Sequence, residues 1–255
     1  MTTAAELASY ASSFPSFRNR IINGNLSNPI NQRGAGSIDE STGYTYDRWY
    51  YDGTNLYQAI EDKNVNDGTY VISWQGSGFN AYWKLSTDTT ANNGPDSTGG
   101  FSTALSSRDT FTVSGSGTGN HLWIKFSLDT AVDFSALDKV QVEEGTVATP
   151  FEHRPYGLEL SLCQRYYWNE PSTDRRMYAS NPTNSIDNVY RQFYIPNPVT
   201  MRAAGTTTYT LNYARGSSAG DSLKTATVNG VVVEAQSTVQ DTLINITSWV
   251  VSAEL

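Results

Sequence analysis

One cysteine, two histidines and no long apolar run set the first limits on this 255-residue chain. The lone Cys163 excludes an intrachain disulfide framework and a multi-cysteine metal site, so the fold must cohere by burial and ladder hydrogen bonds. His121 and His153 are too few for a histidine-based zinc centre without carboxylate help, and they form no helical pair. No stretch reaches the length of a membrane-spanning helix, and Met1 to Pro15 carries neither the basic nor the apolar region of a secretion signal. The expectation is a soluble chain without standard export or membrane insertion. Charge is scarce as well, at 16% of residues, and the 17 basic side chains are outnumbered by 25 acids, for a net charge of −8. With no basic run to offset that excess, binding to nucleic acid or anionic lipid is not expected.

Enzyme signatures are also missing. There is no Gly-rich loop ending in Gly-Lys-Ser/Thr and no Gly-x-Ser-x-Gly elbow. Ser114 to Gly119 is glycine-rich, but no helical pattern follows, so it reads as a turn. Glu143 and Glu144 are adjacent on an expected strand and point to opposite faces, which makes them poor partners for paired-carboxylate chemistry. No catalytic residues and no required cofactor are assigned. The acidic and amidic stretches Glu61 to Asp67 and Asp88 to Asp96 could supply oxygens to a loop calcium, with a solvated loop as the competing reading.

What is present is β signal. Gly, Ser, Thr and Asn are plentiful, and there are 16 tyrosines. Tyr70, Ile72 and Trp74 alternate on one face; Phe79, Trp83 and Leu85 fall together on another. Leu122, Ile124, Phe126 and Leu128 alternate inward, leaving His121, Trp123 and Lys125 on the opposite face. Ser86 to Gly100 is nearly all polar and reads as a long loop. After Pro155, Leu158, Leu162 and Tyr166 recur at helical spacing, predicting a short helix over Gly157 to Trp168. Further strand signals follow at Tyr190 to Ile195, Thr206 to Tyr213, Leu223 to Val228, Val231 to Glu234 and Leu243 to Val251, with Asn229-Gly230 as a hairpin turn. The pattern predicts an all-β chain with three parts: an arm over residues 1–15, a jelly-roll-like antiparallel β-sandwich over 16–155, and a short helix opening a second, smaller antiparallel β domain over 156–255.

Five phrases stand out: Asn19 to Asn25 (NRIINGN), Asn31 to Gly34 (NQRG), Tyr44 to Tyr51 (YTYDRWYY), Val140 to Gly157 (VQVEEGTVATPFEHRPYG) and Leu162 to Trp168 (LCQRYYW). In that order and at such separations they resemble a family of bacteriophage tail-fibre and prophage tail modules. The resemblance implies a virion protein, a tail or head fibre that assembles as a homo-oligomer, with a trimer as the family pattern. Host-surface glycan and other virion proteins would be its partners. The alternative is a structural connector or decoration whose partner is another virion protein. A glycan depolymerase is a third class, but the chain shows neither the repeats nor the motif for it.

Two residue groups follow. The far-apart blocks near 19–49 and 141–156 mix opposite charges with aromatic and β-branched residues, as adjoining strands at the seam of one sheet body would. Arg20, Asp47, Arg48, Glu143, Glu144, Glu152 and Arg154 are expected to pair there. Tyr82 with Asn80 and Lys84, and Trp123 with His121 and Lys125, combine an outward ring with polar neighbours. Sugars stack their C–H faces on such rings and hydrogen-bond beside them, so these six residues form a candidate glycan platform. An interface with another domain or subunit is the competing use of the same rings.

Overall fold

The computed structural model describes residues 17–87, 100–129, 133–179, 189–215, 221–237 and 242–254. The proposed arm, most of the polar stretch 86–100 and the Asp88 to Asp96 calcium candidate lie outside them. Alternating side chains in the first half make eight strands: β1 (Gly43–Tyr44), β2 (Tyr50–Tyr51), β3 (Leu56–Ile60), β4 (Gly68–Gln75), β5 (Phe79–Ser86), β6 (Thr110–Val113), β7 (His121–Leu128) and β8 (Asp138–Glu144). They form two antiparallel sheets, ordered β1-β2-β3-β7-β5 and β6-β4-β8. From β3 onward each successive strand joins the opposite sheet, the jelly-roll-like alternation expected from short strands with amphipathic faces.

One core fills the space between the sheets. Tyr70, Ile72 and Trp74 of β4 and Val140 and Val142 of β8 belong to the same buried cluster as Leu122, Ile124 and Phe126 of β7. Trp74 meets Phe126 edge-on with ring centroids 5.3 Å apart, and Trp83 stacks on Phe111 at 5.3 Å. Such aromatic pairs add roughly 0.5–1.5 kcal/mol each beyond their area. Leu128, expected inward, is 38% exposed because it closes β7 at the end of the sheet.

The helix is shorter than its spacing predicts: α1 spans Tyr156–Gln164. Tyr167 and Trp168 already belong to β9 (Tyr167–Ala179), where Tyr167 pairs with Ser252, so ladder hydrogen bonds override the helical spacing. Five further strands follow, β10 (Val189–Pro196), β11 (Thr206–Arg215), β12 (Asp221–Ala226), β13 (Gly230–Ser237) and β14 (Thr242–Ser252). They make two antiparallel sheets, β10-β13-β12 and β11-β14-β9, around a small cluster that includes Trp168, Ile195, Met201, Val231, Val233, Trp249 and Val251. The chain divides into two compact units, the first ending at Leu160 and the second running Ser161–Glu254, so the boundary falls inside α1. The β12–β13 hairpin turns one residue earlier than Asn229-Gly230 implies. The Thr227 N–H donates to Gly230 O at 2.9 Å, which leaves Val228 and Asn229 at the tip. Gly230 is needed for another reason: a Cβ there would stand 2.5 Å from the Ile195 carbonyl oxygen of β10.

Candidate functional site

The segment 19–24 runs beside β8. The Arg20 N–H donates to Val142 O at 2.7 Å and the Val140 N–H to Gly24 O at 2.9 Å. A Cβ at Gly24 would lie 2.2 Å from Val140 O, so only glycine permits this approach. Asparagines complete the junction. Asn19 donates to Val140 O and accepts from the Val142 and Ile21 N–H groups. Asn23 is held at φ +60°, a left-handed conformation that Asn tolerates better than most residues. Its amide both donates to and accepts from the Ile30 backbone and donates to Asp47 O, while Trp49 Nε1 donates to Asn23 O. Gln58 and Ile22 exchange a reciprocal pair of bonds at 2.8 Å.

The expected seam charges divide among separate partners. Arg20 pairs with Glu144 at 2.8 Å across the two blocks. Arg154, with 4% of its side chain exposed, donates to the Ile21 and Asn19 carbonyls and reaches Glu159 at 3.1 Å and Glu152 at 3.6 Å. Glu152 in turn accepts from the Asn19 N–H at 2.9 Å. Asp47 is fully buried and accepts from the Gln32 amide at 2.7 Å, with Arg33 at 4.0 Å. Glu143 accepts from Thr149 and Gln141 within its own block. Arg48 is buried and donates to Ala59 O at 2.6 Å, so it ties to β3. Charge spacing alone could not assign these partners, and it missed Asn19, Asn23, Gln58, Gln141 and Glu159.

On the outer face of the five-stranded sheet one rung of register crosses all five strands. Tyr44 lies opposite Tyr50, Tyr50 opposite Tyr57, Tyr57 opposite Lys125, and Lys125 opposite Tyr82. At the usual strand spacing the row is roughly 19 Å long. Tyr44 and Tyr50 meet edge-on at 5.2 Å, and Phe101 sits 6.1 Å from the Tyr57 ring. Lys125 Nζ lies 4.1 Å from the Tyr82 ring centroid and 4.8 Å from that of Phe101, with Lys84 Nζ 5.8 Å from Phe101. Arg33 lies 5.1 Å over Tyr44 at the other end. Tyr82, Asn80, Lys84 and Lys125 are half-buried, so four of the six expected platform residues share this accessible face.

Tyr57 of the row is 2% exposed and offers no contact surface. Trp123 and His121 point to the same side but are likewise buried, at 2% and 4% exposed. Both lie on β7, an interior strand flanked by β3 and β5, where neighbouring side chains crowd an outward ring. His121 Nδ1 accepts the Asp62 N–H at 3.2 Å, a structural role. Tyr44, Tyr50, Tyr57 and Phe101 were not foreseen: β1 and β2 are too short to show alternation, and Phe101 lies outside any strand.

Asp52 anchors the middle of the row. Its carboxylate accepts the Tyr57 O–H at 2.7 Å and the Asn55 and Thr54 N–H groups. Partial burial pushes the Asp52 carboxyl up, but these bonds outweigh it and hold the group below the usual range. Burial, then the Asp52 bond and charge, push the Tyr57 phenol well above its ordinary value. In the calcium candidate Glu61 to Asp67, the two aspartates bind backbone instead. Asp62 accepts the Gly119 N–H and Asp67 the Ser116 N–H, both at 2.7 Å. Among the described residues no group of three His, Cys, Asp or Glu side chains gathers to hold a metal.

No family model matches the chain, and neither does any curated protein or solved structure.

Proposed function

We propose that this chain is a bacteriophage virion fibre protein, of tail or head, that contacts host-surface glycans as an oligomer, a trimer by family pattern. The sequence phrases from Asn19 to Trp168 support the virion assignment. The observation that carries the contact role is the half-buried end of the outer-face row, where the Tyr82 and Phe101 rings lie beside the Lys125 and Lys84 ammonium groups, with Asn80 on the same face of β5. A pyranose needs that combination, an apolar plate with donors at its edge. A single such site is weak, and copies on one particle compensate through avidity. Tyr82→Ala and Lys125→Ala should each abolish adsorption to host cells or binding on a glycan array while the protein stays folded. Unchanged binding by both variants would refute the assignment.

A structural connector that binds other virion proteins is the second reading. It is favoured by the exposure of Phe17 at 47%, Val147 at 75% and Tyr156 at 67%, large apolar groups suited to a protein partner. A chain that assembles into particles but leaves adsorption unchanged when deleted would select it.

A further inference from the structure

On the opposite sheet, β4 is irregular on both sides of Trp74. Its pairing with β8 slips between Ser73 and Gln75, so that Ser73 faces Gln141 and Gln75 faces Asp138, which places Lys139 in a bulge. On its other side the Trp74 N–H and C=O are both bonded by the Ser107 hydroxyl at 3.0 Å, and Arg108 follows at the turn into β6. Arg108 and Lys139 both adopt left-handed backbone, at φ +79° and +50°. Side-chain-bearing residues avoid that region, and bulges commonly re-aim side chains near functional sites.

The two irregularities flank one cleft of about 370 Å³, lined by Arg108, Lys139, His153, Phe151, Ser73 and Gln75 among others, and by no Asp or Glu. That is unusual in a chain whose acids outnumber its bases. The acids nearest in sequence already have partners: Asp109 accepts the Ser106 N–H, Asp138 the Ser27 N–H, Glu152 the Asn19 N–H, and Glu143 the N–H and hydroxyl of Thr149 in the cleft wall. Among the described residues neither Arg108 nor Lys139 has a carboxylate partner. Phe151 stands edge-on to His153, with ring centroids 5.0 Å apart, as an aromatic wall.

We infer that this cleft binds an oxyanion, a carboxylate or phosphate carried on a hydroxylated ligand such as an acidic sugar. Arg108 and Lys139 supply the charge, Ser73 and Gln75 polar contacts, and the Phe151–His153 pair a surface for the ligand's apolar face. Two cations without a carboxylate partner among the described residues, around a cleft lined by no Asp or Glu, favour an anion over a neutral sugar. The site is separate from the Tyr82 face and does not depend on the fibre assignment.

The test uses titrations at low salt, by calorimetry or NMR, with inorganic phosphate, glucuronate and glucose as probes. Positive φ at both positions makes glycine the matched replacement, so the Arg108→Gly, Lys139→Gly double variant should fold at least as stably while losing both charges. The expected result is binding of phosphate or glucuronate, none of glucose, and affinity weaker by roughly tenfold or more in the folded double variant. Binding of one anion alone identifies the source as phosphate or carboxylate. Failure of the wild type to bind either anion, equal binding of glucose, or full retention of binding in the folded double variant overturns the inference. Tyr82→Ala should leave anion binding unchanged, so loss of host adsorption in that variant bears on the fibre assignment alone.

Discussion

The seam beside β8 and the outer face of the five-stranded sheet both combine polar and aromatic side chains, but they satisfy those groups in opposite ways. At the seam Asn19, Asn23, Glu152 and Arg154 are buried or nearly so, and Asn19, Glu152 and Arg154 bond backbone more than a hundred residues away in sequence. On the outer face Lys125 and Lys84 rest on rings, contacts that a ligand could exchange without unfolding anything. The difference teaches that the blocks NRIINGN and FEHRPYG are first of all the closure of the sandwich. Neither block builds the Tyr82 face, whereas Phe151 and His153 of the second also line the cleft beside Arg108 and Lys139.

The comparison breaks most readily at Arg154. Arg154→Met removes the bonds to Asn19 and Ile21 and leaves Glu152 and Glu159 without their cation. A loss of about 3–5 kcal/mol is expected, read as a drop in the urea midpoint. Asn23→Ala removes three bonds to the Ile30 and Asp47 backbone and should cost about 2–3 kcal/mol by the same measurement. If either variant unfolds at the wild-type midpoint, the seam is not the closure.

The outer face should respond less and with a pH signature. Tyr57→Phe deletes one bond to Asp52 and should cost about 1 kcal/mol at neutral pH. The Asp52 carboxyl is depressed in the folded state. Its contribution is therefore complete above the unfolded value near 3.8 and is lost as pH falls through the lower folded value. Tyr57 is raised, so its contribution is complete below the unfolded value of 10.0 and is lost as pH rises beyond it. Urea midpoints of wild type and Tyr57→Phe should converge at both extremes, and a difference independent of pH would contradict the pairing. Smallest of all, Lys125→Ala should change stability by less than about 1 kcal/mol, as exposed cation–π contacts do, whatever it does to binding.

Period-two alternation made the three eight-residue strands of the first unit legible: β4, β5 and β7 lie where Tyr70, Phe79 and Leu122 begin their patterns. It could not show β1 and β2, whose two residues each hold no period, nor end the helix at Gln164, where pairing of Tyr167 with Ser252 prevails. The seam was visible as two charged blocks, but its binding chemistry is amide to backbone, and an asparagine's partners cannot be read from spacing. Outwardness was legible for Trp123 and exposure was not, because exposure depends on neighbours across strands. Arg108 and Lys139 left no sequence signal at all; backbone conformation brings them to one cleft.

Amide hydrogen exchange at Arg20, Val140 and Val142 tests the joining of the two blocks most directly, since each of these N–H groups bonds across the seam. Protection equal to that of the core strands, with opening only by global unfolding, is the predicted result. Exchange at the rate of an unstructured peptide, while β4 and β7 stay protected, would contradict it.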